Sequence, residues 1–185
     1  MMATPIDLIV LDRDGVINED SADYIKSPDE WAPIPGSIEA IAELTRAGFS
    51  IVVVSNQSGI GRGLFTLGDL EAIHEKMEHC VAEAGGKLAG IYFCPHHPDE
   101  LCDCRKPRAG LLERVVDELG VSLAGVPLVG DKVADLELAR RVEARPILVL
   151  TGYGRESAME AAEAGVEIHA DLAAAARALI AERQR

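Results

Sequence analysis

Near its start the chain reads IDLIVLDRDG over residues 6–15, and this stretch decides the fold class. The apolar run Ile6–Leu11 has the length of a buried strand and lacks a regular polar alternation, as strands of parallel sheets do. The polar segment Asp12–Gly15 follows at once. It therefore stands at the carboxyl end of a strand, which is where α/β sheets bind their ligands.

Apolar runs and helical patterns alternate along the rest of the chain. Further strands are predicted at Phe49–Val54, Ile91–Phe93, Val126–Val129 and Pro146–Leu150. Helices are predicted at Ser37–Ala47, Leu67–Ala84, Ala109–Leu119, Asp135–Val142 and Asp171–Glu182, with Ser37 and Thr66 as N-caps of the first two. This alternation predicts an α/β fold with a doubly wound, mostly parallel, Rossmann-like sheet and right-handed crossovers.

The size and charge of the chain limit its class. Its 185 residues fit one domain, residues 1–185, and 18 basic against 31 acidic residues give a net charge of −13. So acidic a chain is a poor partner for nucleic acid or an anionic membrane, because both recruit Lys and Arg. The stretch Met1–Leu11 lacks the features of a signal peptide, and no apolar run reaches the roughly 18 residues of a bilayer span. We therefore expect a cytoplasmic monomer.

Acidic residues cluster after two of the predicted strands. Asp12 and Asp14 follow the first strand, and Asp131 follows the Val126–Val129 strand, with Asp135 four residues further on. Carboxylates crowded in one crevice repel one another unless a cation is present, and hard oxygen ligands of this kind suit Mg²⁺. One carboxylate could then attack phosphorus while the metal shields its charge.

Groups suited to phosphate follow the other strands. Ser55, Asn56 and Gln57 are predicted to lie in a turn whose backbone N–H groups and side chains donate to phosphate oxygens. Lys106 supplies positive charge to a phosphoryl-transfer transition state. Lys132, beside Asp131, either binds the substrate or orients the Asp131 carboxylate. Each signal alone has a structural alternative, because Asp-x-Asp pairs are common, a Gly-Asp is often only a turn, and Ser55-Asn56 could be a cap. Their joint order is far more specific.

Four segments of the chain carry a family resemblance. They are Leu11–Gly15, Val54–Gln57, Lys106-Pro107 and Gly130–Asp135. In this order they resemble the four motifs of the haloacid dehalogenase-like phosphatases, and the resemblance covers nearly the whole chain. It implies that family's fold and a Mg²⁺-dependent phosphatase activity.

The resemblance also implies roles for individual residues. Asp12 would be the nucleophile that forms an aspartyl-phosphate, and Asp14 would be the general acid for the leaving oxygen and then the base for water. Ser55 and Lys106 would stabilise the phosphoryl group. Mg²⁺ would be held by the carboxylate of Asp12, the backbone carbonyl of Asp14 and Asp131.

Three cysteines and a histidine lie within eleven residues of sequence. The set Cys94, His96, Cys102 and Cys104 matches a closed, four-coordinate Cys₃His zinc site, which has a structural role. The alternatives are a chance cluster of buried thiols or a redox pair, and His97 is a rival ligand for His96. We expect zinc to pin the loop 94–104 and so to position Arg105 and Lys106, while Cys80 lies in the core.

The spacing of the motifs leaves no room for an inserted cap domain. Only 42 residues separate Asp12 from Ser55, and 50 separate Ser55 from Lys106. The site should therefore be open, with substrate contacts from short loops. The expected contact residues are Asp12, Arg13, Asp14, Asp20, Ser21, Ala22, Asp23, Ser55, Asn56, Gln57, Ser58, Arg62, Arg105, Lys106 and Lys132.

Some of these side chains have two interpretations. The guanidinium of Arg105 is suited to bind a second phosphate or sugar hydroxyls. The alternative interpretation is that Arg105 forms a salt bridge on the surface. Tyr24 and Trp31 are expected to pack within the flap that contains Asp20–Tyr24 rather than to touch the substrate.

The zinc loop narrows the choice of substrate. Haloacid dehalogenase-like phosphatases of a sugar bisphosphate and of histidinol phosphate share such a loop together with the Asp12–Gly15 motif. The runs Ser58–Gly63 and His97-Pro98 favour a small phosphorylated sugar, and histidinol phosphate is the alternative. A second alternative is a phospho-acceptor or phosphate-binding module without turnover. It is disfavoured because Asp14 could hydrolyse the phosphoaspartate and because such a module has no use for a zinc loop.

Overall fold

The computed structural model describes residues 7–185, which form a six-stranded sheet flanked by helices. The strands are β1 (Leu8–Leu11), β2 (Ser50–Asn56), β3 (Gly90–Cys94), β4 (Pro127–Gly130), β5 (Arg145–Val149) and β6 (Glu167–His169). Their spatial order is β3-β2-β1-β4-β5-β6, and each neighbouring pair is parallel. Ile6, with which the predicted first strand begins, and the rest of residues 1–6, on which the signal-peptide prediction also depends, lie outside the described residues.

Helices connect the strands. They are α1 (Ser37–Arg46), α2 (Ser58–Gly61), α3 (Leu67–Glu83), α4 (Gly110–Leu119), α5 (Val133–Arg141), α6 (Gly154–Glu163) and α7 (Leu172–Arg183). One turn of 3₁₀ helix spans Pro98–Glu100. Within residues 7–185, no helix has the length and apolar character that a bilayer crossing requires.

Helices cover both faces of the sheet. Since successive residues of a strand point to opposite faces, each strand buries side chains on both. From β1, Ile9 and Leu11 pack with α1, α3 and α7, whereas Leu8 and Val10 pack with α4 and α5. These four side chains are at most 2% exposed. Burial on both faces explains why the strands read as apolar runs without alternation.

The direction in which strands are added reverses at β1. The chain first proceeds outward through β2 and β3, and then places β4 on the other side of β1. The carboxyl ends of β1 and β4 therefore flank a topological switch point, where sheets of this kind bind ligands. Asp12 follows β1 and Asp131 follows β4, so both lie at this point.

The predicted doubly wound α/β sheet is confirmed, and every strand pair within residues 7–185 is parallel. Thr66 caps α3 as predicted, since its hydroxyl accepts from the backbone N–H of Asp69. The prediction that Ser37 is an N-cap is wrong. Gly36 occupies the cap position with φ 83°, and the Ser37 hydroxyl donates to the backbone oxygen of Ile17 (2.6 Å). The helices α2 and α6 and the strand β6 were not predicted, because each is short or lacks an apolar run.

Candidate active site

Three carboxylates meet at the switch point between β1 and β4. Oxygens of Asp12, Asp131 and Asp135 lie within 4.8 Å of one another, and all three residues are buried. The backbone N–H of Asp12 donates to Val129 of β4 (2.9 Å), which fixes the two strand ends together. Asp131 Oδ2 accepts from the backbone N–H of Tyr153 (2.8 Å), whereas its buried Oδ1 accepts no hydrogen bond from residues 7–185.

Burial makes the ionised forms of these acids costly. Loss of solvent raises the pKa of Asp12 to about 6, with Lys106 opposing the rise and Asp135 adding to it. Loss of solvent and the charge of Asp12 raise the pKa of Asp131 to about 8. A divalent cation would return both carboxylates to their ionised forms and would use the free Oδ1 of Asp131. The donor set therefore fits Mg²⁺.

The ammonium of Lys106 is inserted among these acids. Its Nζ lies 2.8 Å from Asp12 Oδ1 and 2.7 Å from Asp135 Oδ1, and it donates to the backbone oxygen of Val54 (3.0 Å). The side chain is only 5% exposed. Burial acts to lower the pKa of Lys106, but the two carboxylates outweigh it and raise that pKa above its usual value. The lysine is therefore charged.

The backbone of Lys106 is fixed in turn by the side chain of Asn56. Asn56 Oδ1 accepts from the Lys106 N–H (2.9 Å), and its Nδ2 donates to the Lys106 carbonyl oxygen (3.2 Å). Ser55 and Asn56 form the end of β2, so their predicted placement in a turn is wrong. The strand continues because both residues pair with the end of β3. The amide of Asn56 thus holds the segment that carries the lysine.

Three side chains hold the carboxylate of Asp14. Arg13 donates to its Oδ1 from Nε (2.9 Å) and Nη2 (2.8 Å), Asn18 also donates to Oδ1 (2.9 Å), and Gln57 donates to Oδ2 (3.0 Å). Burial acts to raise the pKa of Asp14, but the guanidinium and these hydrogen bonds outweigh it and lower that pKa. Asp14 is therefore ionised and fixed in orientation, with 17% of its side chain exposed.

A pocket of about 390 Å³ and a smaller cleft beside it open over these groups. Predicted contact residues that line them are Asp12, Asp14, Asp20, Ser21, Ala22, Asn56, Gln57, Ser58, Arg105, Lys106 and Lys132. The structure thus brings together residues from the ends of β1, β2 and β4, from the flap and from the segment after the zinc loop. An anionic ligand placed there would meet both lysines and the ionised Asp14.

Four predicted contact residues lie outside that lining. Arg13 is 0% exposed, so its side chain cannot touch a ligand and any contact would use its backbone. Ser55 is buried below the pocket, where its hydroxyl accepts from Gln57 Nε2 (3.3 Å). Asp23 and Arg62 are exposed residues that do not face the pocket.

Other pocket residues were missed in the sequence. Tyr24, Ile25, Ala134 and Tyr153 line the pocket, although Tyr24 was expected only to pack within the flap. Tyr153 follows β5, and its ring lies under the Lys132 ammonium, 4.9 Å from Nζ to the ring centre. Lys132 also pairs with Asp20 of the flap (2.8 Å). The rule that strand ends carry the site would have found Tyr153. Trp31 is 1% exposed, so its predicted packing role is confirmed.

The predicted zinc ligands converge. Ligand atoms of Cys94, His96, Cys102 and Cys104 lie within 4.8 Å of one another. Cys94 Sγ is 3.5 Å from His96 Nδ1 and from Cys102 Sγ, and His96 Nδ1 is 3.1 Å from Cys104 Sγ. The bond lengths of tetrahedral zinc give ligand separations of about 3.5–3.8 Å. Two of these distances match that range and the third is shorter, so binding of zinc needs only a small outward shift of His96 or Cys104. His97 instead accepts from the backbone N–H of Asp99 and caps the 3₁₀ turn.

Comparisons with known proteins agree with this geometry. A family model described as polynucleotide kinase 3 phosphatase matches residues 7–137, and one described as HAD-hydrolase-like matches residues 103–175. A protein of Pseudomonas aeruginosa named D-glycero-beta-D-manno-heptose-1,7-bisphosphate 7-phosphatase is 52% identical, over 94% of this chain and 97% of that relative. The chain belongs to the haloacid dehalogenase-like phosphatases.

Solved structures of this phosphatase family share the fold closely. The D,D-heptose 1,7-bisphosphate phosphatase of Bordetella bronchiseptica, complexed with magnesium and phosphate, matches with a TM-score of 0.92 and 47% identity. The match covers 96% of this chain and 99% of that one. The corresponding Burkholderia thailandensis structure matches with a TM-score of 0.72 and 39% identity, covering 94% and 98%. The chain is thus a phosphatase whose acid cluster fits magnesium and whose cysteine cluster fits zinc.

Proposed function

We propose that this phosphatase removes the 7-phosphate of D-glycero-β-D-manno-heptose 1,7-bisphosphate. The observation that carries the proposal is its near full-length likeness to phosphatases named for that substrate. A pocket with two lysines and an arginine beside the acid cluster suits a small sugar with two phosphates. The product would be the heptose 1-phosphate, which serves as a precursor for the heptose of bacterial lipopolysaccharide.

In the first proposed step, a carboxylate oxygen of Asp12 attacks phosphorus while the bond between phosphorus and the sugar oxygen breaks. Asp14 gives a proton to the departing oxygen, so the sugar leaves as an alcohol. The Lys106 ammonium, 2.8 Å from Asp12 Oδ1, offsets the charge of the group in transfer. Ser55 supports the phosphoryl group from below the pocket.

In the second step, Asp14 acts as a carboxylate and takes a proton from water as the water oxygen attacks phosphorus. The bond between phosphorus and Asp12 breaks, which releases inorganic phosphate and the free Asp12 carboxylate. The lowered pKa of Asp14 keeps its carboxylate ionised, which is the form that accepts the proton. The earlier acid role needs a protonated Asp14, and the dianion of a bound substrate raises the pKa of a neighbouring carboxyl in that direction.

The proposed magnesium ligands are the carboxylates of Asp12 and Asp131 and the backbone carbonyl of Asp14. The buried Oδ1 of Asp131, which accepts no hydrogen bond within the described part of the chain, supports this assignment. When bound, Mg²⁺ neutralises charge and lets an anionic carboxylate approach an anionic phosphate. Asp135 is assigned to Lys106 instead, because its Oδ1 lies 2.7 Å from that ammonium.

Recognition of the sugar is proposed to come from the flap and from two cationic side chains. Asp20, Ser21 and Ala22 face the pocket from the flap, and Lys132 pairs with Asp20 there. Arg105 reaches the pocket directly after the zinc loop, so we assign it to the second phosphate or to sugar hydroxyls.

We propose further that residues 1–185 are one catalytic domain without a cap, which works as a cytoplasmic monomer. The four cysteines form no disulfide, and three of them fit zinc, which suits a reducing compartment. The net charge of −13 opposes binding to nucleic acid or to an anionic membrane.

The deciding experiment is a measurement of kcat/KM with Mg²⁺ for the heptose bisphosphate and for histidinol phosphate. We expect a clear preference for the heptose, with turnover abolished in Asp12→Asn. A preference for histidinol phosphate would overturn the substrate assignment. Undiminished turnover in Asp12→Asn would overturn the nucleophile, and a chain that accepts phosphate without releasing it would favour the phospho-acceptor module.

A further inference from the structure

His74 is the one polar residue on the buried face of α3. The other buried residues of this helix are Leu70, Ile73, Met77 and Val81. His74 is 7% exposed, and its ring packs against Phe93 of β3, with 5.7 Å between ring centroids. The proposed reaction does not use it. Its Nε2 lies 3.4 Å from Nη1 of Arg13, directly below the pocket.

The contact fixes the protonation state of the imidazole. Arginine offers only donors, so Nε2 of His74 must present a lone pair and the ring proton must be on Nδ1. Burial and the Arg13 charge lower the pKa of His74 to about 4, so the ring is neutral at physiological pH. His74 is therefore an acceptor for a cation that is itself 0% exposed.

Arg13 connects His74 to a residue of the pocket, Asp14. Its Nη1 faces His74, whereas Nε and Nη2 donate to Asp14 and Nη2 also lies 3.3 Å from Gln57 Oε1. Because the guanidinium is planar and rigid, fixing one nitrogen fixes the direction of the other two. The orientation of the Asp14 carboxylate thus depends on a helix that contributes no residue to the pocket.

We propose that His74 is a positioning residue, which holds Arg13 so that Arg13 holds the carboxylate of Asp14 at the angle that proton transfer requires. The inference rests on the proposed acid/base role of Asp14. Small misplacements of a reacting group are costly in rate, and supporting residues of this kind typically contribute roughly 10- to 100-fold in activity.

The test compares His74→Leu, which removes the acceptor, with His74→Gln, whose side-chain oxygen can replace Nε2. Each is assayed on the heptose bisphosphate and on p-nitrophenyl phosphate, whose phenolate leaves without needing a proton. We expect His74→Leu to lower kcat/KM for the sugar ester roughly 10-fold or more, and the aryl ester several-fold less. His74→Gln should recover most of the loss. Ile73→Val is the matched control, since it removes a buried methyl group from the same face and leaves the His74 acceptor in place.

Thermal unfolding of all three variants separates positioning from folding. An equal loss on both esters, a His74→Gln variant as poor as His74→Leu, or unchanged activity in His74→Leu would each overturn the proposal. Failure of the substrate assignment gives a different result, because the wild-type chain would then prefer another alkyl phosphate. The comparison of leaving groups would be made on that ester and would still decide the role of His74.

Discussion

The ammonium of Lys106 lies between two buried carboxylates, 2.8 Å from Asp12 Oδ1 and 2.7 Å from Asp135 Oδ1. The lysine is thus the counter-charge of the proposed nucleophile before any phosphate enters. Without it, Asp12 and Asp135 would face one another at 5% or less exposure and without compensation. The residue therefore links catalysis and stability in one contact.

Lys106→Met should lower both properties together. Breaking a buried ion pair by removing one partner costs about 3–5 kcal/mol of unfolding free energy. Loss of a charge at the transferring group should lower kcat by about 10²- to 10³-fold. Urea unfolding and phosphate release measure the two effects. Arg114→Met is the control for stability, because its pair with Glu118 is 61% exposed on the arginine side and contributes at most about 1 kcal/mol. An unfolding free energy in Lys106→Met equal to that of the wild type would contradict the ion-pair assignment.

The amide of Asn56 should matter through Lys106. Asn56→Ala removes both hydrogen bonds to the Lys106 backbone and should lower kcat by roughly tenfold, since a displaced lysine no longer aligns with Asp12. Asn56→Asp retains the acceptor for the Lys106 N–H but loses the donor to its carbonyl oxygen. The oxygen that replaces the donor would repel that carbonyl oxygen, and the added charge in the pocket would oppose the phosphate. The kcat of Asn56→Asp should therefore be no higher than that of Asn56→Ala. Steady-state kinetics measures the three kcat values. Equal kcat values for the wild type and both variants would show that the two hydrogen bonds between Asn56 and the Lys106 backbone are dispensable.

The sequence predicts the parts of this molecule whose signals are local. The strand Leu8–Leu11 and the capping of α3 by Thr66 follow from apolar runs and cap chemistry, and the zinc cluster follows from spacing. Side-chain direction is not local. Arg13 is sequence neighbour to two proposed catalytic acids, yet it is directed into the interior because Gln57 and His74 accept from it there. Only the packing of distant elements decides such a direction.

Removal of zinc should lower stability and activity together. The cluster lies directly before Lys106 in the chain, and Arg108, which follows the loop, donates to the carbonyl of Cys102 within it. At about 1,000-fold saturation, a lost metal site costs about 4 kcal/mol. For a chain of this size that corresponds to a decrease in Tm of about 8–16 °C. Cys104→Ser or a chelator should produce it, and zinc content, Tm and phosphate release are the measurements.

The half-buried thiol of Cys80 provides the control for that experiment. It lies on α3 outside the cluster, so Cys80→Ser should keep full zinc content and turnover. Zinc-free Cys104→Ser with wild-type activity would rule out a role of the loop in placing Lys106.

Without magnesium, the unfolding free energy of the wild type should decline relative to that of Asp131→Asn as pH rises from 7 to 8. The pKa of Asp131 is raised from 3.8 in the unfolded chain to about 8 in the folded one, so the folded state binds the extra proton in this window. Unfolding of the wild type therefore releases one proton that unfolding of Asp131→Asn does not, and the difference in unfolding free energy between the two declines by about 1 kcal/mol per pH unit. The zinc-bound thiolates take up protons on unfolding in both proteins, so their contribution cancels. Asp12 and His74, with folded pKa values of about 6 and about 4, change most below pH 7. Mg²⁺ should remove the decline, because it stabilises the ionised carboxylate. Urea unfolding of both proteins at several pH values measures this difference, because the amide of the variant does not titrate. An identical slope in that variant would assign the pH dependence to other groups and would remove the support for Asp131 as a buried, cation-requiring acid.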